Sequence, residues 1–239
     1  MDSIIQGFSQ AFWLIVSGDR ELCRIILLSL GVSGGALALA ALLGLPVAAL
    51  TGLKRFPLRG AVVSLLQTGM GLPPVVVGLL LYMLLSRQGP LGFLELLYTP
   101  GAMILAQTIL ALPIVASLAG AAIMGVDPAV KQAAVTLGAT PRQQSFTVIR
   151  EAGYGIMAAI IAAAGRVMAE VGAVLMVGGN IAGYTRVMTT TIALETDKGN
   201  FELAIALGVI LLALSLVISL LLRVVQQWGK TEAALIPWP

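Results

Sequence analysis

The sequence predicts an all-α polytopic membrane protein with about five transmembrane helices and an N-terminal amphipathic helix. Of its 239 residues, 59% are hydrophobic and 10% are charged, whereas soluble domains carry about a quarter charged residues. A helix needs roughly 20 apolar residues to cross the hydrocarbon core of a bilayer. The runs without Asp, Glu, Lys or Arg that meet this length are 25–53, 60–86, 96–126 and 203–222. A fifth run, 152–185, is interrupted only by Arg166 and Glu170.

The first 24 residues are predicted to form a helix that lies on the membrane interface. Between Met1 and Ser17, large apolar side chains recur near helical spacing beside polar ones, which is typical of an interfacial amphipathic helix. The segment has no basic start and no small-residue cleavage site, so we do not interpret it as a signal peptide. A short additional span is the alternative. At the other end, residues 226–239 are expected to form a cytoplasmic tail.

Composition also limits the chemistry of the chain. Cys23 is the only cysteine, and there is no histidine, so an intrachain disulfide and the commonest general base and metal ligand are excluded. The basic residues are scattered over the predicted loops, which argues against a nucleic-acid partner. No glycine-rich phosphate-binding loop of the Walker type occurs. We therefore expect the chain to bind no cofactor or metal and to hydrolyse no ATP by itself.

Loop charges predict the orientation in the membrane. Loops 54–59 and 126–151 and the segment after Leu222 hold eight basic residues against three acidic ones. The N-terminus and loops 87–95 and 179–202 hold five basic residues against seven acidic ones. Cytoplasmic loops carry an excess of Lys and Arg. The N-terminus is therefore predicted to lie outside and the C-terminus in the cytoplasm.

The long predicted cytoplasmic loop carries paired helix-capping signals. Asp127 suits the N-cap of a helix, and Pro128 suits the first helical position, where its missing N–H costs nothing. Gly138 fits the left-handed residue that ends a helix. Thr140 and Gln143 form a capping box that starts a second helix. The loop is therefore predicted to consist of two helices joined by a tight elbow.

The first of these helices is expected to present Ala133 and Ala134 as a small, smooth surface. A plain surface connector is one interpretation, and docking into a partner's groove is the other. Its motifs resemble the EAA loop of bacterial ABC importer permeases, and they are Val126-Asp127-Pro128, Gln132-Ala133-Ala134, Thr136-Leu137-Gly138-Ala139 and Ile149. In that family the loop forms the coupling helix, which seats in a cleft of the cytoplasmic ATPase.

The resemblance implies that the coupling loop covers residues 127–149. It implies ATPase-coupling roles for Asp127, Gln132, Ala133, Ala134, Gly138 and Ile149. Two positions depart from the family pattern. Gln132 stands where the family usually has Glu, and Arg150-Glu151 stand where Leu-Pro often follows the Ile.

Prolines inside the predicted spans indicate kinks. Each proline leaves a backbone carbonyl without its helical hydrogen bond, so that neighbouring helices or water must supply a donor. These prolines are Pro46, Pro73, Pro74 and Pro113. The stretch Leu72–Gly78 also resembles the second core span of molybdate-type permeases, as does Ala111-Leu112-Pro113.

Arg166 and Glu170 are four residues apart and thus share one face of a predicted helix. A charge near the bilayer interior is costly unless it is paired or faces water. We favour an interior-facing pair, with Glu170 as the partner of Arg166 and a packing lock. A pair that anchors the cytoplasmic end of the helix is the alternative. The small residues Gly172, Gly178 and Gly179 allow close backbone approach.

Residues 178–186 are rich in Gly and Asn and are predicted to form an extracellular turn. Glu170-x-Gly172-Ala173 followed by Gly179-Asn180-Ile181-x-Gly183-x-Thr185 resembles the molybdate, tungstate and sulfate permease group. Within that group, residues 177–180 with 184–190 and 194–196 are most similar to tungstate permeases. The resemblance covers roughly residues 25–225.

The resemblance implies a type I ABC importer permease (MetI-like) fold that moves an oxyanion, tungstate, inward across a bacterial or archaeal plasma membrane. It implies a homodimer, two cytoplasmic ABC ATPase subunits that bind ATP and Mg, and an extracytoplasmic substrate-binding protein. The implied gate and pathway residues are Arg166, Glu170, Gly172, Gly179, Asn180, Thr185 and Thr189. The hydroxyls of Thr185 and Thr189 are expected to give the cargo weak, transient contacts.

Other functions make different demands on the sequence. Molybdate and sulfate permeases belong to the same group. A secondary transporter needs titratable groups near mid-membrane and usually an internal repeat, and only Arg166 and Glu170 are candidates. An intramembrane enzyme would need catalytic residues, but this sequence contains no histidine and no paired catalytic carboxylates. A purely structural membrane protein has no need of the capped loop.

Overall fold

The computed structural model describes Ser9, Trp13 and residues 18–231, and within them it contains helices joined by turns and loops. Its α-helices from residue 20 on are α1 Arg20–Leu53, α2 Arg59–Met70, α3 Pro74–Leu85, α4 Pro100–Met124, α5 Pro128–Thr136, α6 Pro141–Glu151, α7 Gly153–Met168, α8 Gly172–Gly178, α9 Met188–Asp197 and α10 Phe201–Thr231. A short 3-10 helix, Gly92–Leu94, lies between α3 and α4. Most of the interfacial helix predicted for residues 1–24 falls outside the described residues, but its last part, from Arg20 on, belongs to α1. The predicted tail begins inside α10, which continues to Thr231, and lies outside the described residues from Glu232 on.

Three helices are long and apolar enough to cross a membrane unbroken: Arg20–Leu53, Pro100–Met124 and Phe201–Gln227. Two pairs qualify only when each pair is taken as one span. These are Arg59–Met70 with Pro74–Leu85, bent by 101°, and Pro141–Glu151 with Gly153–Met168, bent by 57°. The described residues thus provide three to five candidate spans, in agreement with the all-α polytopic prediction.

The predicted span over 60–86 bends sharply between α2 and α3, at the prolines for which a kink was expected. Proline disfavours helical geometry in the residue before it, and Pro73 is extended, with φ −66° and ψ 123°. Pro74 then occupies the first position of α3, where a missing N–H costs nothing. Pro46 and Pro113, in contrast, lie inside α1 and α4 as predicted.

The fifth predicted run, 152–185, is also divided. α7 ends at Met168, and α8 covers only Gly172–Gly178. Residues 179–187 then form the connection to α9. The fifth predicted run is therefore broken, and Arg166, Glu170 and Gly172 of the predicted pathway positions lie around the break.

The described helices form two compact units. The first unit comprises the chain up to Ala36 with 72–110 and 165–218, and the second comprises 37–71, 111–164 and the chain from Ser219 on. In the first unit the core includes Val32, Leu81, Leu85, Met103, Val174 and Val177. In the second it consists of Ala48, Ala119, Ile123, Val148, Ala152 and Ala159. Such small residues let membrane helices pack closely through van der Waals contact.

Candidate coupling segment and candidate pathway segment

The predicted coupling loop forms two capped helices, α5 and α6, in the second unit. Asp127 is the N-cap of α5, since its Oδ1 accepts a hydrogen bond from the Ala129 N–H at 2.8 Å. Thr140 is the N-cap of α6, and its own N–H donates to Gln143 Oε1 at 2.8 Å. The predicted capping signals are therefore confirmed, including the proline at the first position of each helix.

The elbow between α5 and α6 turns on Gly138, whose φ of 78° lies in the left-handed region. The Gly138 N–H donates to Val135 O at 2.9 Å, and the Ala139 N–H donates to Ala134 O at 3.0 Å. Gln144 closes the elbow from the other side, because its Nε2 donates to Ala139 O at 2.8 Å. An L side chain is strained at such a φ, so glycine at this position sets the angle of the elbow.

The exposed surface of α5 differs from the predicted one. Gln132 and Ala133 are exposed, but Ala134 is buried. With 3.6 residues per turn, adjacent helical residues point about 100° apart, so Ala133 and Ala134 do not share one face. Leu137 at the end of α5 is instead 87% exposed. The sequence signal for it was an apolar residue directly before the helix-ending glycine.

α6 anchors the coupling segment in the core of the second unit. Val148 is buried there, and Ile149 is half-buried against the same cluster, which includes Ala119 and Ile123. Ile149 therefore acts as a packing residue within this chain. Its predicted role in coupling stays a prediction.

In the first unit, the predicted helix through Arg166 and Glu170 breaks after Met168. The expectation of a continuous helix over 165–173 is therefore wrong, but the predicted ion pair is present. Arg166 Nη1 lies 2.7 Å from Glu170 Oε2, and the two side chains are 29% and 3% exposed. The pair thus holds Glu170, beyond the helix end, against the last turn of α7.

Glu170 also stabilises the other side of the break. Its Oε1 accepts a hydrogen bond from the Ala173 N–H at 2.9 Å, in the first turn of α8. A negative side chain at a helix N-terminus satisfies a free N–H and suits the helix dipole. One buried carboxylate therefore links the end of α7 to the start of α8, which agrees with its interpretation as a packing lock.

The backbone carbonyls near the break find side-chain donors. Gln107 Nε2 donates to Val167 O at 3.0 Å, and Thr189 Oγ1 donates to Glu170 O at 2.9 Å. Broken helices are tolerated in membranes only where such groups are satisfied. Sequence reasoning missed Gln107, although it is the only Asn or Gln in the charge-free run 96–126.

Thr185 holds the turn after α8 together. Its Oγ1 donates to Gly178 O at 2.6 Å and accepts from the Ile181 N–H at 2.9 Å. The side chain is fully buried, and its predicted contact with cargo stays a prediction. The Thr189 hydroxyl donates its hydrogen bond to Glu170 O.

Gly172, Gly179 and Asn180 are positions of close approach or unusual backbone. A Cβ on Gly172 would lie 2.9 Å from Val75 Cγ2. Asn180 has a φ of 50° and is half-buried, and its Nδ2 donates to Thr190 O at 3.4 Å. These contacts explain the small and amide side chains by packing.

We expect Gly179→Ala to destabilise the protein more than Gly199→Ala. Both glycines have left-handed φ values, 69° and 76°, but a Cβ at Gly179 would lie 2.7 Å from Tyr98 Cδ1, whereas nothing lies within 4 Å at Gly199. The left-handed strain costs about 1–2 kcal/mol at each position, and overpacking adds about 1–3 kcal/mol at Gly179 alone. Thermal unfolding of the purified variants in detergent measures the difference. Equal midpoints for the two variants would contradict the close contact.

A second buried carboxylate, Glu195 in α9, was also missed by the sequence analysis. Lys198 Nζ lies 2.8 Å from its Oε1, and Asn200 Nδ2 donates to its Oε2 at 3.0 Å. The hydrogen bond from Lys198 holds the pKa of the Glu195 carboxyl below its ordinary value, helped by Asn200 and the charges of Lys198 and Arg186 and opposed by burial. The Glu195 carboxylate thus links α9 to Lys198 and Asn200, which lie in the connection to α10.

This lowered pKa predicts a pH dependence of stability. The ionised Glu195 contributes stability above the pKa of an unfolded glutamate, about 4.3, and the contribution is lost as pH falls through the lower folded value. Unfolding midpoints of the wild-type protein should therefore fall more steeply below about pH 4.3 than those of Glu195→Gln. Glu202→Gln serves as control, because Glu202 has no ion pair among the described residues. Identical pH profiles for Glu195→Gln and the wild-type protein would refute the prediction.

Comparison with known proteins identifies the class of this chain. Residues 44–229 match the family model described as binding-protein-dependent transport system inner membrane component. The chain belongs to this family, and as one of its permeases it relies on a separate ATPase for ATP hydrolysis. The resemblance inferred from the sequence is therefore confirmed.

Individual relatives and a solved structure agree with the family. The "Probable anion ABC transporter permease protein" of Haloferax volcanii is 49% identical over 207 residues, which cover 83% of this chain and 89% of that protein. The "Tungstate uptake system permease protein TupB" of Peptoclostridium acidaminophilum is 39% identical over 95% of this chain and 100% of that protein. A bacterial ABC transporter involved in alginate import has a similar fold, with a TM-score of 0.69 and 21% identity over 90% of this chain and 82% of that chain.

Proposed function

We propose that this chain is the permease through which an ABC importer takes up a tetrahedral oxyanion, with tungstate as the cargo. The observation that supports tungstate as the cargo is the 39% identity to a tungstate permease over 95% of this chain. The relative from Haloferax volcanii, described as an anion permease, supports an anionic cargo. Molybdate and sulfate are the alternatives within the group.

The proposed assembly contains two copies of this chain and two cytoplasmic ATPase subunits that bind ATP and Mg²⁺, and the chain itself binds no cofactor. An extracytoplasmic binding protein delivers the oxyanion. The proposed permease domain covers residues 25–225 together with the ends of α1 and α10, which begin at Arg20 and end at Thr231. The loop charges support a plasma-membrane orientation with the N-terminus outside and the C-terminus inside.

We assign α5 as the coupling helix. Its caps at Asp127 and Gly138 fix both of its ends, and the exposed side chains of Gln132, Ala133 and Leu137 are available to the ATPase. Ala134 and Ile149 support the helix from inside the chain. A short rigid helix held in this way can transmit movement of the ATPase to the permease.

We assign the break between α7 and α8, with the turn after α8, to the gate. Arg166, Glu170 and Gly172 define the break, and Thr189 ties it to α9. Gly179, Asn180 and Thr185 shape the turn. A free carboxylate would repel an anion, so pairing Glu170 with Arg166 is compatible with anion passage. Backbone N–H groups are left as the proposed weak contacts with the cargo.

Elemental uptake tests this function. Cells that express the permease with its ATPase and binding protein are supplied with tungstate and molybdate, and both metals are counted by mass spectrometry. We expect selective tungsten uptake, reduced about tenfold or more in Gly138→Trp because a large side chain at φ 78° displaces the elbow. Gly153→Trp is the control, since that glycine has an ordinary φ and open space around it.

The outcomes separate the alternatives. Equal uptake of tungsten and molybdenum would remove tungstate selectivity from the proposal, and uptake of neither by the assembled importer would reject these two cargoes. Uptake that persists after ATP depletion and collapses with an uncoupler would favour a secondary transporter. Full activity of Gly138→Trp would contradict the role given to the elbow.

A further inference from the structure

A cavity of about 450 Å³ lies within the second unit, beside the coupling segment. Its walls come from the end of α1 with the following loop, the start of α2, the end of α4, and the two helices α5 and α6. Small-molecule sites typically have volumes of about 300–1,000 Å³. The cavity is therefore large enough for a small ligand or a lipid headgroup.

The lining of this cavity is strongly basic. Lys54, Arg55, Arg59 and Lys131 line it, and Asp127 is the only acidic residue among the lining residues. Asp127 already caps α5, since its Oδ1 accepts a hydrogen bond from the Ala129 N–H. Four cationic groups thus face the cavity against one carboxylate.

Three of these cations have no partner within the part of the chain that the structure describes. The side chains of Lys54, Arg55 and Lys131 form no hydrogen bond or ion pair with other described residues. Lys54, Arg55 and Lys131 are exposed, so their mutual repulsion is partly screened by solvent, but like charges that line one cavity still repel one another. An anion in the cavity would relieve this repulsion.

The fourth cation is fixed in place. Arg59 Nε donates to Thr51 O at 2.7 Å, and its Nη2 lies 2.7 Å from Met124 Sδ. A guanidinium carries five N–H donors, so donors remain for a ligand. A planar guanidinium together with lysine ammonium groups is the donor set that recognises phosphate-type oxygens.

We propose that this cavity binds a tetrahedral phosphate-type anion, supplied either by the headgroup of an anionic phospholipid or by a free oxyanion. Lys54 and Arg55 directly follow the charge-free run that ends at Leu53, at the level where basic residues meet anionic headgroups. Leu53 and Ile123 add apolar walls suited to the start of the acyl chains of a lipid. A free oxyanion would use the same donors without these walls.

The bound anion stabilises the coupling segment. Lys54 follows α1 and Lys131 lies in α5, so one anion in the cavity neutralises charges on both elements. A ligand that binds only the folded arrangement raises its stability by mass action. The site thus links the anion content of its surroundings to the order of α5, whatever cargo the permease carries.

The test uses the assembled importer in nanodiscs of neutral phosphatidylcholine, with two probes. Inorganic phosphate is added in one arm, and phosphatidylglycerol is included in the bilayer in the other. The readouts are the thermal unfolding midpoint and the lipid retained in native mass spectrometry. Lys54→Gln/Lys131→Gln removes two cavity cations. The matched control Arg142→Gln/Arg223→Gln removes two cations that do not line the cavity.

We expect a probe to raise the midpoint of the wild-type protein and of the control, and its apparent affinity to fall about tenfold or more in Lys54→Gln/Lys131→Gln. A response to phosphatidylglycerol alone identifies a lipid headgroup as the source, and a response to inorganic phosphate identifies a free oxyanion. Lys54→Arg/Lys131→Arg keeps the charges and is expected to bind like the wild-type protein. A wild-type protein that responds to neither probe, or an equal response in Lys54→Gln/Lys131→Gln, overturns the proposal. Neither readout depends on transport, so failure here is distinct from failure of the proposed cargo.

Discussion

Replacing Glu170 by alanine is expected to destabilise the protein by about 1–3 kcal/mol, the usual cost of leaving a buried hydrogen-bond donor without its acceptor, because the Arg166 charge that remains is 29% exposed. The Glu170 side chain is 3% exposed and lies 2.7 Å from Arg166. Its loss leaves the Arg166 charge without its partner and removes the acceptor for the Ala173 N–H at the start of α8. The two sides of the break lose their common contact.

A set of variants separates the charge from the cap. The side-chain oxygen of Glu170→Gln still accepts from the Ala173 N–H, so its loss of stability should be smaller than that of Glu170→Ala. Arg166→Gln/Glu170→Gln removes both charges, and we expect it to be more stable than Arg166→Gln alone, which leaves a buried carboxylate unpaired. Glu202→Ala, an exposed carboxylate in the first turn of α10, is the control and should change stability by about 0.5 kcal/mol or less.

Thermal unfolding in detergent micelles, with gel filtration to verify assembly, measures these differences. Wild-type stability of Glu170→Ala would show that the carboxylate does not hold the break. A destabilisation of Glu202→Ala equal to that of Glu170→Ala would show that any loss of negative charge has the same effect. Either result would remove the structural role given to Glu170.

Features that depend on neighbours in sequence were predictable. The caps of α5 and α6 follow from Asp127, Pro128, Thr140 and Gln143, since each acts on residues two or three positions away. The Arg166–Glu170 pair was also predicted, because a spacing of four residues brings the side chains together. Local signals of this kind need no knowledge of the tertiary fold.

Features that depend on distant residues were not predictable in the same way. The break after Met168 is satisfied partly by Gln107, 60 residues away, and nothing in residues 165–173 alone indicates that donor. The burial of Ala134 depends on tertiary packing around α5. The Thr185 hydroxyl was expected to contact cargo, but in this structure it donates its hydrogen bond to Gly178 O within its own turn. The sequence marked these positions without revealing which partner each one has.

Leu137→Lys is expected to abolish docking of the ATPase while leaving the permease folded. Leu137 is 87% exposed at the end of the proposed coupling helix, where an apolar side chain gains little unless a partner covers it. Central apolar anchors of interfaces typically contribute about 2 kcal/mol or more, and burying an unpaired charge at the same place costs several kcal/mol. We therefore expect the affinity for the ATPase to fall about 30-fold or more.

Lysine makes this test specific to docking. A cation near a helix C-terminus interacts favourably with the helix dipole, so Leu137→Lys should not weaken α5 itself. Phe93→Lys is the matched control, because Phe93 is 77% exposed and lies in the loop predicted to face outside. Co-purification of the ATPase with each tagged variant, and ATP-dependent uptake by the same cells, give the two readouts.

The two variants together decide whether α5 is the coupling helix. Loss of ATPase and uptake in Leu137→Lys, with both retained in Phe93→Lys, is the expected result. Because Leu137 touches little of its own chain, a folded Leu137→Lys that loses the ATPase locates a contact with that subunit. If Leu137→Lys keeps the ATPase and full uptake, the exposed end of α5 is not the docking surface. The capped loop would then be a surface connector, and coupling would have to use another part of the chain.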